Sequence, residues 1–204
     1  MLGRRERKKV RTREALQDAA LRLALEHGYE QLTVEAITDA VDVSVRTFFN
    51  YFGSKDDVLL SPDPQRVADL VAALAARPRD EAPVAALREV FGELADGFTS
   101  REPLWQARMA LVRANPQLWP RLLAAFAEFE RNVAEAIAAR VGRDAERDLY
   151  PGVVATAVVG AMRVAVAHWR AGGPATSLRR LFDDAFDVLA TGLVPPDESS
   201  GETP

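Results

Sequence analysis

The sequence predicts an all-α protein, and three observations carry that prediction. Apolar residues recur at helical spacing along most of the chain, no stretch sustains the alternation of a half-buried strand, and Ser, Thr and Gly stand where caps and stops belong. At 204 residues the chain can bury a self-sufficient core.

The first helix is expected to start near Thr12, a suitable N-cap, to carry Leu16, Ala19, Ala20 and Leu23 on one face, and to stop at Gly28. A short helix from Thr33 to Val41 follows, with Val34, Ile37 and Val41 as its apolar stripe. Ser44 caps a third helix that runs through Phe52, Gly53 ends it, and Ser54 caps a fourth. That fourth helix opens on Lys55, Asp56 and Asp57, acids that suit the positive end of a helix dipole. Past Pro62 and Pro64 the helices lengthen, with Val84, Leu87, Phe91, Leu94 and Phe98 on one and Leu122, Phe126, Phe129, Val133 and Ile137 on another. Between Leu149 and Ala167 the one charged residue is Arg163, so this helix is apolar nearly all round and must be covered on more than one side. Its Ala and Gly content and its arginine speak against a membrane span. The last helix, over residues 178–193, is amphipathic through Leu181, Phe182, Ala185, Leu189 and Leu193. The final ten residues, 195–204, hold too few apolar groups to fold and are expected to be disordered.

Charge divides along the chain in a way that the net value of −4 conceals. Residues 1–13 carry seven Lys or Arg against one Glu, whereas residues 56–204 carry 16 basic and 22 acidic side chains. A basic arm on an acidic body concentrates attraction for phosphate at one end and discourages the rest from adhering to DNA. The organisation expected is a small N-terminal domain over residues 1–60 with a basic arm at 1–11, a helical domain over 61–194, and the tail.

Composition also excludes. With no cysteine there is no disulfide, thiolate metal site or cysteine nucleophile, and a reducing compartment is the natural home. His27 and His168 are too few and too far apart for a metal cluster. No apolar segment follows the charged N-terminus, so neither a secretory signal nor a membrane anchor is expected, and the protein reads as cytoplasmic. No Gly-rich phosphate loop, nucleophile elbow or paired His and carboxylates at ligand spacing appears, so no enzyme, cofactor or metal is expected.

The segment TVEAITDAVDVSVRTFFNYFGSK reads as two short helices joined by a tight turn, the arrangement that lets a second helix enter a major groove while the first braces it. Ser44, Arg46, Thr47, Asn50 and Tyr51 crowd polar reach onto that second helix, while Val43, Phe48 and Phe52 can face the core. A solvated polar face on a structural helix would explain this composition alone, and a helical interaction module without DNA binding would explain the bundle. Neither accounts for the basic arm just upstream and the lysine at the next helix start.

The run A-x-x-x-G-Y-x-x-x-T-V-x-x-I, followed by V-S-x-R-T-F-F-x-Y-F-x-S-K, resembles the N-terminal domain of TetR-family regulators over residues 12 to about 60. Later, W-x-x-R, N-P-x-L and H-W-R-A-G-G within residues 100–193 are similar to the C-terminal domain of mycofactocin-system regulators. The first resemblance implies a repressor that binds double-stranded operator DNA as a homodimer and is released by a small-molecule effector. It implies a phosphate contact at Thr33, base-facing roles for Val45, Arg46 and Thr47, and backbone contacts from Tyr51 and Lys55. An arginine at position 46 can pair bidentately with guanine, and Val45 or the Thr47 methyl can touch a thymine methyl. Phe49 stands where the family commonly has tyrosine, and Asp42 where it commonly has glycine. Arg4 and Arg5 of the arm are candidates for groove or phosphate contact.

An effector pocket is expected from Trp105, Arg108, Met109, Phe126, Phe129, Met162, His168 and Trp169, aromatic walls with a few polar groups. The second resemblance implies a fatty acyl or acyl-CoA effector. Ala157, Val158, Gly160, Ala161, Phe182 and Leu189 are the candidate dimer interface, since two apolar helices from each subunit can form a four-helix contact.

Overall fold

A computed structural model describes the backbone of residues 4–99, 102–171 and 177–193, and the side chains of residues 7–95, 104–171 and 177–193. The described residues form ten α-helices and two 3-10 turns, with no strand among them. The first five helices are α1 (Arg4–His27), α2 (Val34–Val41), α3 (Val45–Phe49), α4 (Lys55–Leu60) and α5 (Pro64–Ala76). The rest are α6 (Pro83–Thr99), α7 (Glu102–Ala114), α8 (Trp119–Val141), α9 (Leu149–Ala171) and α10 (Leu178–Ala190). The tail at 195–204, read as disordered, lies outside the described residues.

The helices group into two compact units, one of Met1–Ala68 with Arg101–Phe129 and one of Asp69–Ser100 with Glu130–Pro204. Packing therefore does not follow the boundary expected at residue 60, because α7 and the first half of α8 share a core with the N-terminal helices.

In the first unit, α1 begins eight residues before Thr12, which lies inside it. The run Arg-Arg-Glu-Arg-Lys-Lys is made of good helix formers, so the helix continues back through the basic arm instead of waiting for a cap. Gly28 then leaves the helix at φ 86, a left-handed angle that a residue without a Cβ adopts freely. A 3-10 turn at Tyr29–Gln31 leads into α2. The third helix is shorter than the sequence suggests. Past Thr47 the chain tightens, with the amides of Asn50 and Tyr51 donating to the carbonyls three residues back, so the turn before Gly53 is no longer α-helical. Leu16, Ala20, Ile37, Phe48, Phe52 and Leu59 form one core with Leu111, Val112, Leu118 and Leu122.

In the second unit α10 packs on α6 and α9. Phe91 meets Phe182 edge-on at 6.5 Å and lies 6.2 Å from Phe186. Across the same contact Arg88 donates to Asp183 at 3.0 Å and Asp187 at 2.5 Å. The Arg140 side chain, 5 % exposed, donates to the carbonyls of Leu74, Arg77, Pro78 and Glu81. It thus satisfies the last carbonyls of α5 and the turn beyond, groups that a helix end leaves without partners of its own.

Two residues expected at a dimer interface belong to this interior instead. Val158 and Phe182 are buried within the single subunit, which leaves them no surface to give a second copy. An all-round apolar helix has to be covered, and α10 packs on α9. Ala157, Gly160, Ala161 and Leu189 are half-buried. The same helix α9 carries Leu149, Val153 and Val164 at 85 %, 63 % and 56 % exposure. By length and composition α9 could cross a membrane, and one third of its most apolar stretch is buried in the fold.

Candidate nucleic-acid interface

Three serine or threonine caps set the short helices of the first unit. Thr33 Oγ1 accepts the Ala36 amide at 3.1 Å, Ser44 Oγ accepts the Thr47 amide at 3.1 Å, and Ser54 Oγ accepts the Asp57 amide at 3.1 Å. Each bond satisfies an N–H that a helix start leaves free, and a cap of this kind contributes about 1 kcal/mol. Between α2 and α3 the chain turns at Asp42, which sits in the left-handed region at φ 55, ψ 51. Its N–H closes onto Asp39 and Thr38, and the Val43 amide reaches the Thr38 carbonyl at 3.1 Å. Aspartate tolerates this conformation better than most side chains, so a helix-turn-helix forms without the glycine expected here.

These turns orient α3. Phe48 and Phe52 are buried, which sends Val45, Arg46, Phe49 and Asn50 outward on the opposite side. Phe49, 55 % exposed, stands edge-on to Phe48 at 5.4 Å. Arg46 makes no ion pair among the described residues, leaving its guanidinium fork available. Thr47 is half-buried, and its hydroxyl lies 2.9 Å from that of Ser44. Beside this face an open concavity of about 700 Å³ is lined by Lys8, Lys9 and Thr12 of α1 and by Asp42, Val43, Ser44, Thr47, Asn50 and Tyr51. Two ammonium groups and several hydroxyl and amide groups around one hollow are suited to a phosphodiester backbone.

Lys55, expected to contact the phosphate backbone, is held within the subunit by its own neighbours. Its ammonium donates to the carbonyls of Tyr29 at 3.3 Å and Leu32 at 3.2 Å and lies 4.3 Å from the Tyr29 ring centre. Tyr29 in turn donates to Asp56 at 2.5 Å, and burial together with that carboxylate raises its phenol well above the ordinary range. Lys55 and Tyr29 therefore clasp the 3-10 turn that presents Thr33. The side chains of Arg4 and Arg5 lie outside the described residues.

The expected pocket residues fall into two groups. Trp105, Arg108, Met109, Phe126 and Phe129 belong to the first unit, all half-buried, with Met109 and Phe126 packed on its core. Met162, His168 and Trp169 belong to the second. There Trp169 is buried, while His168 is exposed with Nδ1 3.0 Å from the Val164 carbonyl.

Three residues that shape the interface escape sequence reasoning. Arg13 donates to the carbonyls of Tyr51 at 3.1 Å and Pro62 at 3.2 Å and covers the Phe52 ring at 4.3 Å. Asp57 accepts the Gly53 amide at 3.1 Å and pairs with Arg121, which also donates to Ser61 Oγ at 2.5 Å. In the sequence Arg13 reads as arm charge and Asp57 as a dipole partner. No local pattern marks Arg121.

Comparison with known proteins gives the family. Residues 16–61 match the model for bacterial regulatory proteins of the tetR family, and residues 81–194 match that for the MftR C-terminal domain. The chain is 38 % identical to the HTH-type transcriptional regulator TcmR of Streptomyces glaucescens, over 94 % of this chain and 88 % of that protein. It is 27 % identical to the protein designated MftR in Mycobacterium tuberculosis, over 92 % of this chain and 93 % of the other. Among solved structures it resembles Thermus thermophilus FadR, a TetR-family repressor in complex with lauroyl-CoA. The TM-score is 0.58 at 25 % identity, covering 94 % of this chain and all of that one. The chain belongs to the TetR family of bacterial transcriptional regulators, a family of regulators and not of enzymes, and residues 34–49 form its helix-turn-helix.

Proposed function

We propose that this chain is a homodimeric repressor that occupies a palindromic operator in the cytoplasm and is released by a small-molecule effector of fatty acyl or acyl-CoA type. The observation that carries the reading is the outward face of α3, where Val45, Arg46, Phe49 and Asn50 stand together beside a hollow floored by Lys8 and Lys9. Arg46 takes guanine, the Val45 side chain takes a thymine methyl, and the lysines with Tyr51 hold the backbone. Thr33 holds a phosphate at the start of α2. For the effector, the support is the likeness to a repressor bound to lauroyl-CoA and the match to the MftR C-terminal domain. Trp105, Arg108, Met109, Phe126 and Phe129 are the residues proposed to meet it. A preference of about 1–3 kcal/mol for one conformation lowers operator affinity roughly 5–150-fold, which suffices for release.

The test is selection from a random-sequence duplex pool followed by titration at two salt concentrations. One palindrome should bind about a thousandfold or more tighter than bulk DNA, with affinity falling steeply as salt rises because counterions are displaced from several phosphates. A pool that enriches no sequence would refute the reading.

Dimerisation is proposed through the exposed stripe of α9, where Leu149, Val153 and Val164 flank the small residues Ala157, Gly160 and Ala161. In a two-fold contact a single substitution is felt twice. Val164→Glu should therefore yield a helical monomer by sedimentation, whereas Val158→Glu should unfold the subunit itself. A folded Val164→Glu dimer of wild-type affinity would move the interface elsewhere.

A further inference from the structure

The recognition helix α3 has five residues, too few to be stiff or stable by itself, so its aim is decided by what holds its two ends. The leading end is held locally, by the Ser44 cap and the Asp42 turn. The trailing end is held from a distance. Gly53, which follows the last buried aromatic of this segment, donates its N–H to Asp57 Oδ2 at 3.1 Å. The other oxygen of the same carboxylate takes Arg121 Nε, on the first turn of α8 and 64 residues away in sequence. Arg121 then spends its remaining reach on Ser61 Oγ, and the Ser54 hydroxyl fixes the Asp57 backbone amide. Gly53 itself is part of the fit. A Cβ at this position would come within 2.8 Å of Asp57 Oδ2, so any larger residue displaces the carboxylate from the amide it binds.

We propose that the Asp57 carboxylate is the joint through which α8 sets the orientation of the recognition helix, with Arg121 as a positioning residue for operator binding. One oxygen holds the exit of α3 and the other holds α8, so a shift of the first turn of α8 is delivered to the exit of α3 through a single rigid group. Arg13 supplies the fixed reference: its hold on the Tyr51 carbonyl ties the same exit to α1, and the segment pivots between the two arginines. An ionised carboxylate shared between a guanidinium and an amide makes charge-assisted bonds that are shorter and more directional than neutral ones. The inference rests on the operator-binding reading above and names the element that regulates that site.

The experiment uses the full chain and the duplex that the wild-type protein enriches from a random pool. Three variants are compared with wild type: Arg121→Gln, Asp57→Asn and Gly53→Ala. Amide exchange at residues 44–53 and affinity for the enriched duplex and for bulk DNA are measured at one salt concentration. Each variant should speed exchange at the trailing end of α3, read at the residue 53 amide. Each should also weaken the enriched duplex by about 5–30-fold, within the range typical of coupling between sites, while bulk DNA is bound as before. The Arg121→Gln/Asp57→Asn double variant should be no worse than either single, the mark of one shared interaction. A role in stability alone would lower the melting temperature and leave the ratio of the two DNA affinities unchanged in the folded protein. That result, unchanged exchange at Gly53 in Arg121→Gln, or additive losses in the double variant would overturn the joint. Should a carboxylate change cost the fold, Gly53→Ala reaches the same state from the other side. If wild type prefers no duplex the operator reading falls, and exchange at residue 53 in Arg121→Gln decides the joint by itself.

Discussion

Arg140→Ala is expected to lower the unfolding free energy by about 3–5 kcal/mol, because several hydrogen bonds from one buried charged donor are lost together. The arginine is nearly enclosed and serves four carbonyls at the end of α5 and in the turn that follows, so its loss removes a charged donor from all four at once, and only those of Leu74 and Pro78 keep a backbone N–H. For a chain of this length that corresponds to a drop in melting temperature of roughly 6–20 °C. Arg140→Lys should recover only part of it, since one ammonium cannot span a set of acceptors that a guanidinium fork reaches. Denaturant unfolding at fixed protein concentration measures the difference, and a loss below about 1 kcal/mol would show that water replaces the arginine without penalty.

Arg46→Ala is expected to cost about 1–3 kcal/mol per half-site, and hence roughly twice that for a dimer on a palindrome. The effect is on sequence preference more than on stability, because Arg46 is exposed and makes no ion pair among the described residues. In a panel of operator variants the wild type should discriminate strongly at one base pair in each half-site, and the variant should lose that discrimination while keeping it elsewhere. Uniform weakening across the panel, with a shallower salt dependence, would assign Arg46 to the phosphate backbone.

What the sequence discloses here is what short-range chemistry decides. The caps at Thr33, Ser44 and Ser54 are legible because a cap is settled within about four residues, and Asp42 in its left-handed turn is legible for the same reason. The start of α1 is not, since Thr12 has the features of a cap while the residues before it favour helix equally well. The inward and outward faces of α3 follow from spacing, but its length does not, because the tightening after Thr47 depends on how Gly53 and Tyr51 are held. Val158 and Phe182 show the limit most plainly. Apolarity announces that a surface will be covered and says nothing of whether the same chain or another copy covers it. Arg13, Asp57 and Arg121 meet partners 38 to 64 residues away, and no window along the chain contains both members of any such pair.

The hydroxyl pair at the head of α3 has a consequence for how sequence is discriminated. Ser44 Oγ accepts the Thr47 amide and is also hydrogen-bonded to Thr47 Oγ1 at 2.9 Å, and either oxygen can be the donor in that second bond. When Thr47 donates, the Ser44 hydrogen is free to point at DNA; when Ser44 donates, the Thr47 hydrogen is free instead. Rotating two protons exchanges the pattern offered at the surface without moving a heavy atom. Under the proposed operator reading, bases that present an acceptor or a donor at this spot would be met almost equally well, so degenerate positions in the operator should map to Ser44 and Thr47 and the invariant ones to Arg46.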